Sequence, residues 1–240
     1  MHIVLHRIAS IAFISCLVSV SVLAEDTAPK EVVCIGDSIT RGAGIKNPRA
    51  DTYPARLQKL LGEGYRVTNY GLNSATLTRK GRPNLWGHLK IIQEKDPDIV
   101  VISLGTNDTC GGKRGCWDHK ADFPGDYRDF LDIVLAYPSK PRVWICAPPP
   151  MVIDAPGLSE ERKRGLEERQ PRLQELIAII RKLAREKKVG FIDLNTPLAD
   201  RQDCFNPKDG VHPNEKGCEA IAELVHAELK KAVAEARENP

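Results

Sequence analysis

Val32-Val33-Cys34-Ile35-Gly36-Asp37-Ser38-Ile39-Thr40 decides how this chain folds. Four apolar residues in succession, without polar alternation, describe a strand covered on both faces. That is the pattern of a parallel sheet held between helices. Gly36 allows a tight strand-to-helix turn, which presents Ser38 just beyond the strand's carboxyl end. Open parallel sheets gather their chemistry at that edge. The stretch therefore predicts both an architecture and a place to look for a reactive side chain.

The same alternation continues outward. Residues 66–70, 99–104, 142–147 and 190–194 read as further short strands. Residues 51–61 read as a helix with Tyr53, Leu57, Leu60 and Leu61 on one face, and 85–95, 123–135, 160–188 and 214–238 also read as helical. Pro171 is expected to divide the helix at 160–188, because it has no N–H to donate. Asn214 is a plausible N-cap for the last helix. The reading is α/β: a parallel five-stranded sheet with helices on both faces, in one domain over residues 25–240. By topology, the loops after the strands bring Ser38, Gly71 and Asn107 to one edge, and His212 precedes the final helix.

With 240 residues, 42% of them hydrophobic, the chain can build one sizeable core. Residues 1–24 carry one charge, Arg7, and then an apolar stretch ending in Val22-Leu23-Ala24. They predict a signal peptide cleaved after Ala24, and a protein secreted or delivered to the periplasm. The competing membrane anchor would have only about 17 apolar residues, at the lower limit for a span. No stable membrane insertion is expected once the segment is cleaved. Of the 35 basic residues only Arg7 lies there, which leaves 34 against 32 acidic ones, a net charge of +2. That is too weak to indicate a nucleic-acid partner. Export permits disulfides. Cys110 and Cys116 bracket a glycine-rich loop and could close it, and Cys204 and Cys218 could brace the segment around His212. Cys34 and Cys146 lie in strand-like runs and read as buried thiols. Cysteine order alone does not determine the pairing. Neither a CxxC pair nor paired histidines support a metal site, and no cofactor is implied.

Far downstream stands Asp209-Gly210-Val211-His212-Pro213. An ester carbonyl resists a neutral serine unless a base removes the hydroxyl proton and donors hold the oxyanion. Ser38 suits the nucleophile and His212 the base. Asp209, three residues earlier, is within one helical turn and could orient the imidazole ring. Alone, each residue has a plainer use, such as a helix cap, a turn glycine or a surface histidine. The combination outweighs those uses.

Four blocks in order resemble the SGNH (GDSL-type) hydrolases: Gly36-Asp37-Ser38-Ile39-Thr40, Asn69-Tyr70-Gly71-Leu72-Asn73-Ser74, Gly105-Thr106-Asn107-Asp108 and Asp209-Gly210-Val211-His212-Pro213. The resemblance spans nearly all of the chain after residue 24. It implies a flavodoxin-like three-layer α/β/α sandwich with Ser38, Asp209 and His212 as catalytic triad. It also implies an oxyanion hole made of the Ser38 N–H, the Gly71 N–H and the Asn107 side-chain amide. Asp37 and Asp108 are expected to bond loop backbone rather than move protons.

The expected partner is a small-molecule or glycan ester. Residues 78–86 and 110–119 each couple basic residues with one tryptophan. Trp86 and Trp117 could stack on a sugar ring, and Arg41 and Arg79 could meet a sugar carboxylate. His88 and His119 read as ordinary polar residues, with His119 near the pocket rim. Residues 36–44, 51–54 and 141–150 resemble exported bacterial members of the sialate O-acetylesterase type, which implies removal of acetyl groups from sialic acid or other glycans. A lipid or thioester hydrolase on the same fold is the alternative, and long-chain preference would reveal it. A non-catalytic glycan-binding protein on this fold is a third reading, against which all four blocks are intact.

Overall fold

A computed structural model describes residues 28–238, with side chains through residue 232. The cleavage site expected after Ala24 lies outside the described residues. The elements are β1 (Lys30–Gly36), α1 (Ser38–Arg41), α2 (Pro48–Asp51), α3 (Tyr53–Leu61), β2 (Tyr65–Gly71), α4 (Leu89–Gln93), β3 (Ile99–Ser103), α5 (Phe123–Leu135), β4 (Arg142–Ala147), α6 (Glu160–Lys187), β5 (Gly190–Asp193) and α7 (Glu215–Glu238). The five strands form one sheet in the order β2-β1-β3-β4-β5, every pair parallel.

Strand period places successive residues on opposite faces. Val32, Cys34, Ile99, Val101, Trp144 and Cys146 therefore join one core with α3 and α7. Val33, Ile35, Val100, Ile102, Val143 and Ile145 join the other with α4 and α5. Helix α6 contributes to both, through Leu173 and Ile177 on one side and Leu176 and Ile180 on the other. Each fully buried aliphatic side chain contributes about 1.5–3 kcal/mol, so this two-sided burial holds the three layers together.

Three local expectations need correction. The helix expected over 51–61 is two pieces, because Pro54 has no N–H and fits only a first turn. Thr52 becomes the cap, its hydroxyl accepting from the Ala55 N–H at 3.4 Å. The helix expected over 85–95 is a 3-10 turn, Trp86–His88, followed by the five-residue α4. Pro171, by contrast, does not divide α6, which runs unbroken for 28 residues. Pro171 and Glu167 both face solvent, where water can satisfy the carbonyl that loses its donor, and buried Leu166 and Leu173 anchor both sides.

The expected bridges Cys110–Cys116 and Cys204–Cys218 are not formed. All six described cysteines are buried free thiols. In the first loop both sulfurs turn to Arg114: its guanidinium donates to Cys110 Sγ, and the Cys116 thiol donates to its carbonyl, each at 3.6 Å. The second segment is tied by backbone instead, with Asn206 N–H to His212 O at 2.8 Å and Asn214 N–H to Cys204 O at 3.0 Å. Burial pushes the Cys218 thiol up to about 11. Among the described residues, no helix is long and apolar enough to cross a membrane.

Candidate active site

The site begins where β1 ends. A Cβ on Gly36 would fall 1.9 Å from Thr40 Oγ1, so glycine is needed for the turn. Asp37 caps α1, accepting from the Ile39 N–H at 2.8 Å. Ser38 opens that single-turn helix at the carboxyl edge of the sheet.

His212 arrives from the segment before α7, and its Nε2 stands 2.8 Å from Ser38 Oγ. Its Nδ1 stands 3.1 Å from Asp209 Oδ2. A carboxylate can only accept, so Nδ1 carries the proton and Nε2 is left to accept from the Ser38 hydroxyl. The spacing of three residues works through a turn rather than the expected helical one. Asp209 Oδ1 accepts from the Val211 and His212 N–H groups at 2.7 and 2.8 Å. Gly210 has φ +65°, and a Cβ there would strike Val152 O at 2.3 Å. Burial alone would raise the Asp209 carboxyl, but the bonds from His212 and the backbone outweigh it and hold it below the usual range. Arg162 Nε donates to the Asp209 carbonyl at 2.8 Å and pins the turn to α6.

Asn107 follows β3 and reaches the same cleft. Its Nδ2 donates to Ala75 O at 3.0 Å and to Asp37 Oδ2 at 3.3 Å. Its Oδ1 accepts from Arg114 Nη1 at 2.9 Å, and Arg114 Nη2 donates to Ser74 O at 2.8 Å. Arg114 therefore clamps the loops after β2 and β3 together at the mouth. Asp108, buried, accepts from Leu77 N–H, Thr78 N–H and the Thr78 hydroxyl, each at 2.9 Å. Burial pushes the Asp37 carboxyl up to about 6, against the Ile39 N–H and the neighbouring His212 and Arg169, while Asp108 adds to the rise.

One of the expected oxyanion donors is not at the cleft. Gly71 does not line the cleft, and its N–H donates to Asn69 Oδ1 at 2.9 Å. Its lack of a side chain has another cause: a Cβ would lie 2.1 Å from Arg41 N, where β2 packs against α1. Ser74, three residues on, does line the cleft and holds a left-handed φ of +63°. Such backbone is costly for a residue with a Cβ. Its N–H, like that of Ser38, has no acceptor among the described residues.

The cleft measures about 390 Å³, with Ser38 and His212 in its wall. None of Arg79, Trp86, Trp117, His88 or His119 lines it. The Arg79 guanidinium lies 3.7 Å over the Trp86 ring and pairs with Asp129 at 3.0 Å and Asp126 at 3.5 Å. Trp86 donates to Leu77 O at 2.7 Å and meets Phe130 edge-on at 5.2 Å. Trp117 is half-buried against the core, with Lys120 and Arg172 over its ring. Arg41 is exposed in an adjoining groove that shares Ala43 and Asn73 with the cleft. The residues missed by sequence reading are Ser74, Arg114, Arg162 and Arg169, all in the cleft wall. Arg162 and Arg169 are seven residues apart, two turns of one helix, yet nothing in that charge-rich stretch marks them out.

Comparison with known proteins agrees with this geometry. Residues 34–220 match the GDSL-like lipase/acylhydrolase family. An acetylxylan esterase of Xylanibacter ruminicola is 32% identical over 229 residues, covering 85% of this chain, which spans 44% of that relative's length. Among solved structures, a proposed arylesterase from Agrobacterium tumefaciens is 27% identical at a TM-score of 0.64, covering 84% of this chain and 99% of that one. A carbohydrate acetylesterase from Sinorhizobium meliloti is 25% identical at a TM-score of 0.62, covering 82% and 99%.

Proposed function

The chain belongs to the GDSL-like lipase/acylhydrolase family, and from that premise we propose that it is a serine esterase that removes acetyl groups from carbohydrates. One observation carries the reading: the unbroken hydrogen-bonded line from Ser38 Oγ through His212 to Asp209, at 2.8 and 3.1 Å. Fold and sequence kinship with an acetylxylan esterase and a carbohydrate acetylesterase supports the choice of substrate. The cleft wall supports it too. Apart from Ala43 and Val211 it is built of polar or ionic residues and one cysteine, a poor channel for a long acyl chain.

In the proposed reaction, His212 Nε2 takes the Ser38 proton as Oγ attacks the ester carbonyl. The free Ser38 and Ser74 N–H groups are the donors for the oxyanion, Ser74 taking the place first expected for Gly71, and the Asn107 amide joins them by turning its longer N–H bond, 3.3 Å to Asp37, towards the developing charge. The tetrahedral adduct collapses, His212 gives its proton to the departing sugar oxygen, and the acetyl group stays on Ser38. Water then gives a proton to His212 and attacks the acyl carbon. Acetate leaves, and Ser38 regains its proton from His212. Asp209 keeps its charge throughout and stabilises the imidazolium. Acetate release from acetylated xylo-oligosaccharides tests the proposal: Ser38→Ala should abolish it while the melting temperature stays unchanged. Undiminished release from that variant would remove the assignment. Export is part of the same reading, and an N-terminus at Glu25 in protein recovered outside the cytoplasm checks it.

A further inference from the structure

Arg114, Arg162 and Arg169 all line the cleft beside Ser38. None of them pairs with a carboxylate among the described residues; Arg162 and Arg169 are half-buried, and the other half-buried arginines, Arg56, Arg128 and Arg172, all have such a partner. The carboxylates around the cleft have other tasks. Asp209 faces the His212 ring, Asp37 caps α1 and accepts from Asn107, and Asp108 holds residues 77 and 78. The arginines are nevertheless held in place. Arg162 is fixed by the Asp209 carbonyl, and Arg169 by Thr109 Oγ1 and Thr106 O, both at 2.9 Å. Arg114 is fixed by Asn107 and Ser74. Both terminal nitrogens of Arg162 and Nη1 of Arg169 have no acceptor among the described residues.

Three like charges gathered in one cleft repel one another, and the half-buried Arg162 and Arg169 have lost part of their hydration. Burial draws the ionisation of Arg169 down, and neighbouring Arg162 and Arg114 add to the effect. A bound anion would relieve both costs. A planar carboxylate suits the fork of free guanidinium N–H groups.

We propose that Arg162, Arg169 and Arg114 form an anion subsite beside Ser38, so that the esters this cleft takes carry a carboxylate close to the scissile bond, as an acetylated sugar acid does. The proposal rests on the serine-esterase reading and names the substrate class of the same site. The carboxylate could reside on the sugar or on the acyl group, and the substrates below separate the two.

The test uses the purified protein and matched substrates: mono-O-acetyl methyl glucuronoside, mono-O-acetyl methyl glucoside, 4-nitrophenyl acetate and 4-nitrophenyl hemisuccinate. The glucuronoside should exceed the glucoside by about tenfold or more in kcat/KM, and the advantage should shrink as salt rises from about 0.05 M to about 0.5 M. Free glucuronate, but not glucose, should compete with 4-nitrophenyl acetate. In Arg162→Gln and Arg169→Gln the ratio of charged to neutral substrate should collapse towards one. Arg162→Lys, which keeps the charge but loses the fork, should retain part of it. A preference confined to the hemisuccinate, and lost in the same variants, would place the carboxylate on the acyl side of the same subsite. Equal kcat/KM for charged and neutral members of both pairs, with 4-nitrophenyl acetate still turned over through Ser38, would overturn the subsite and leave the esterase reading standing. Failure on 4-nitrophenyl acetate and both sugars would strike the esterase reading itself.

Discussion

Two basic regions flank this fold, and they differ in what answers their charge. On the outer face, after β2, Arg79 ends on Asp126 and Asp129 of α5, and Lys80 ends on Asp122 at 2.8 Å. In the cleft, Arg114, Arg162 and Arg169 end on carbonyls, a hydroxyl, an amide oxygen and the Cys110 sulfur. The outer charges are spent on holding a loop to a helix. The cleft charges are positioned but not neutralised, which is the condition of a group that waits for a ligand. A basic residue near a catalytic block is thus poor evidence of substrate binding until its acid partner, or the lack of one, is known.

The contrast can be broken most severely at the triad. Asp209→Asn should lower kcat by about 10³-fold or more, because an amide can hold the wrong tautomer of His212. Steady-state kinetics on 4-nitrophenyl acetate with an unchanged circular-dichroism spectrum would check it. Arg114→Ala should lower kcat on that neutral ester by about 10- to 100-fold with little change in KM, since it frees Asn107 and the Ser74 turn rather than removing a substrate contact. A rise in KM alone would give Arg114 a binding role only.

Asp37 offers a pH test of how the cleft floor is buried. Burial lifts its folded pKa to about 6, above the ordinary aspartate value of 3.8, so its ionisation opposes folding. Native stability should fall as pH rises through that window, and the penalty should be complete above about 6. Asp37→Asn removes the titration. Its stability relative to the parent should therefore improve between pH 4 and pH 8 by on the order of 2–3 kcal/mol, read by urea denaturation at both pH values. A difference independent of pH would contradict the burial argument. On the outer face the effect should be smallest. Arg79→Ala should cost about 0.5–1 kcal/mol of stability and leave kcat/KM within about twofold, because it loses a half-exposed ion pair and a stacked ring only. A large loss of activity there would erase the contrast between the two regions.

Much of this was legible in the chain. The apolar run at 32–35 announced a two-sided strand, and both cores receive it in strict alternation. Ser38, Asp209, His212 and Asn107 could be picked out because their chemistry is tied to local blocks, and the structure brings all four together. Gly71 was misread because a glycine required for close packing looks the same in sequence as one offering a free N–H. Ser74 was missed because a serine gives no sign of left-handed backbone. Arg162 and Arg169 escaped because their meaning depends on long-range packing of α6 across the mouth of the sheet. The cysteine pairs illustrate the reverse error: loop spacing suggested bridges where Arg114 and backbone bonds already hold the turns.

Whether Ser38 carries the acyl group is the question on which the rest depends. Rapid acid quench of the protein turning over 4-nitrophenyl acetate, followed by peptide mass spectrometry, addresses it directly. Expected is an acetyl group on the peptide containing Ser38, formed in the burst phase, discharged on continued turnover and absent from Ser38→Ala. Acetate release with no acetyl group on Ser38, or equal release from Ser38→Ala, would contradict the proposed chemistry.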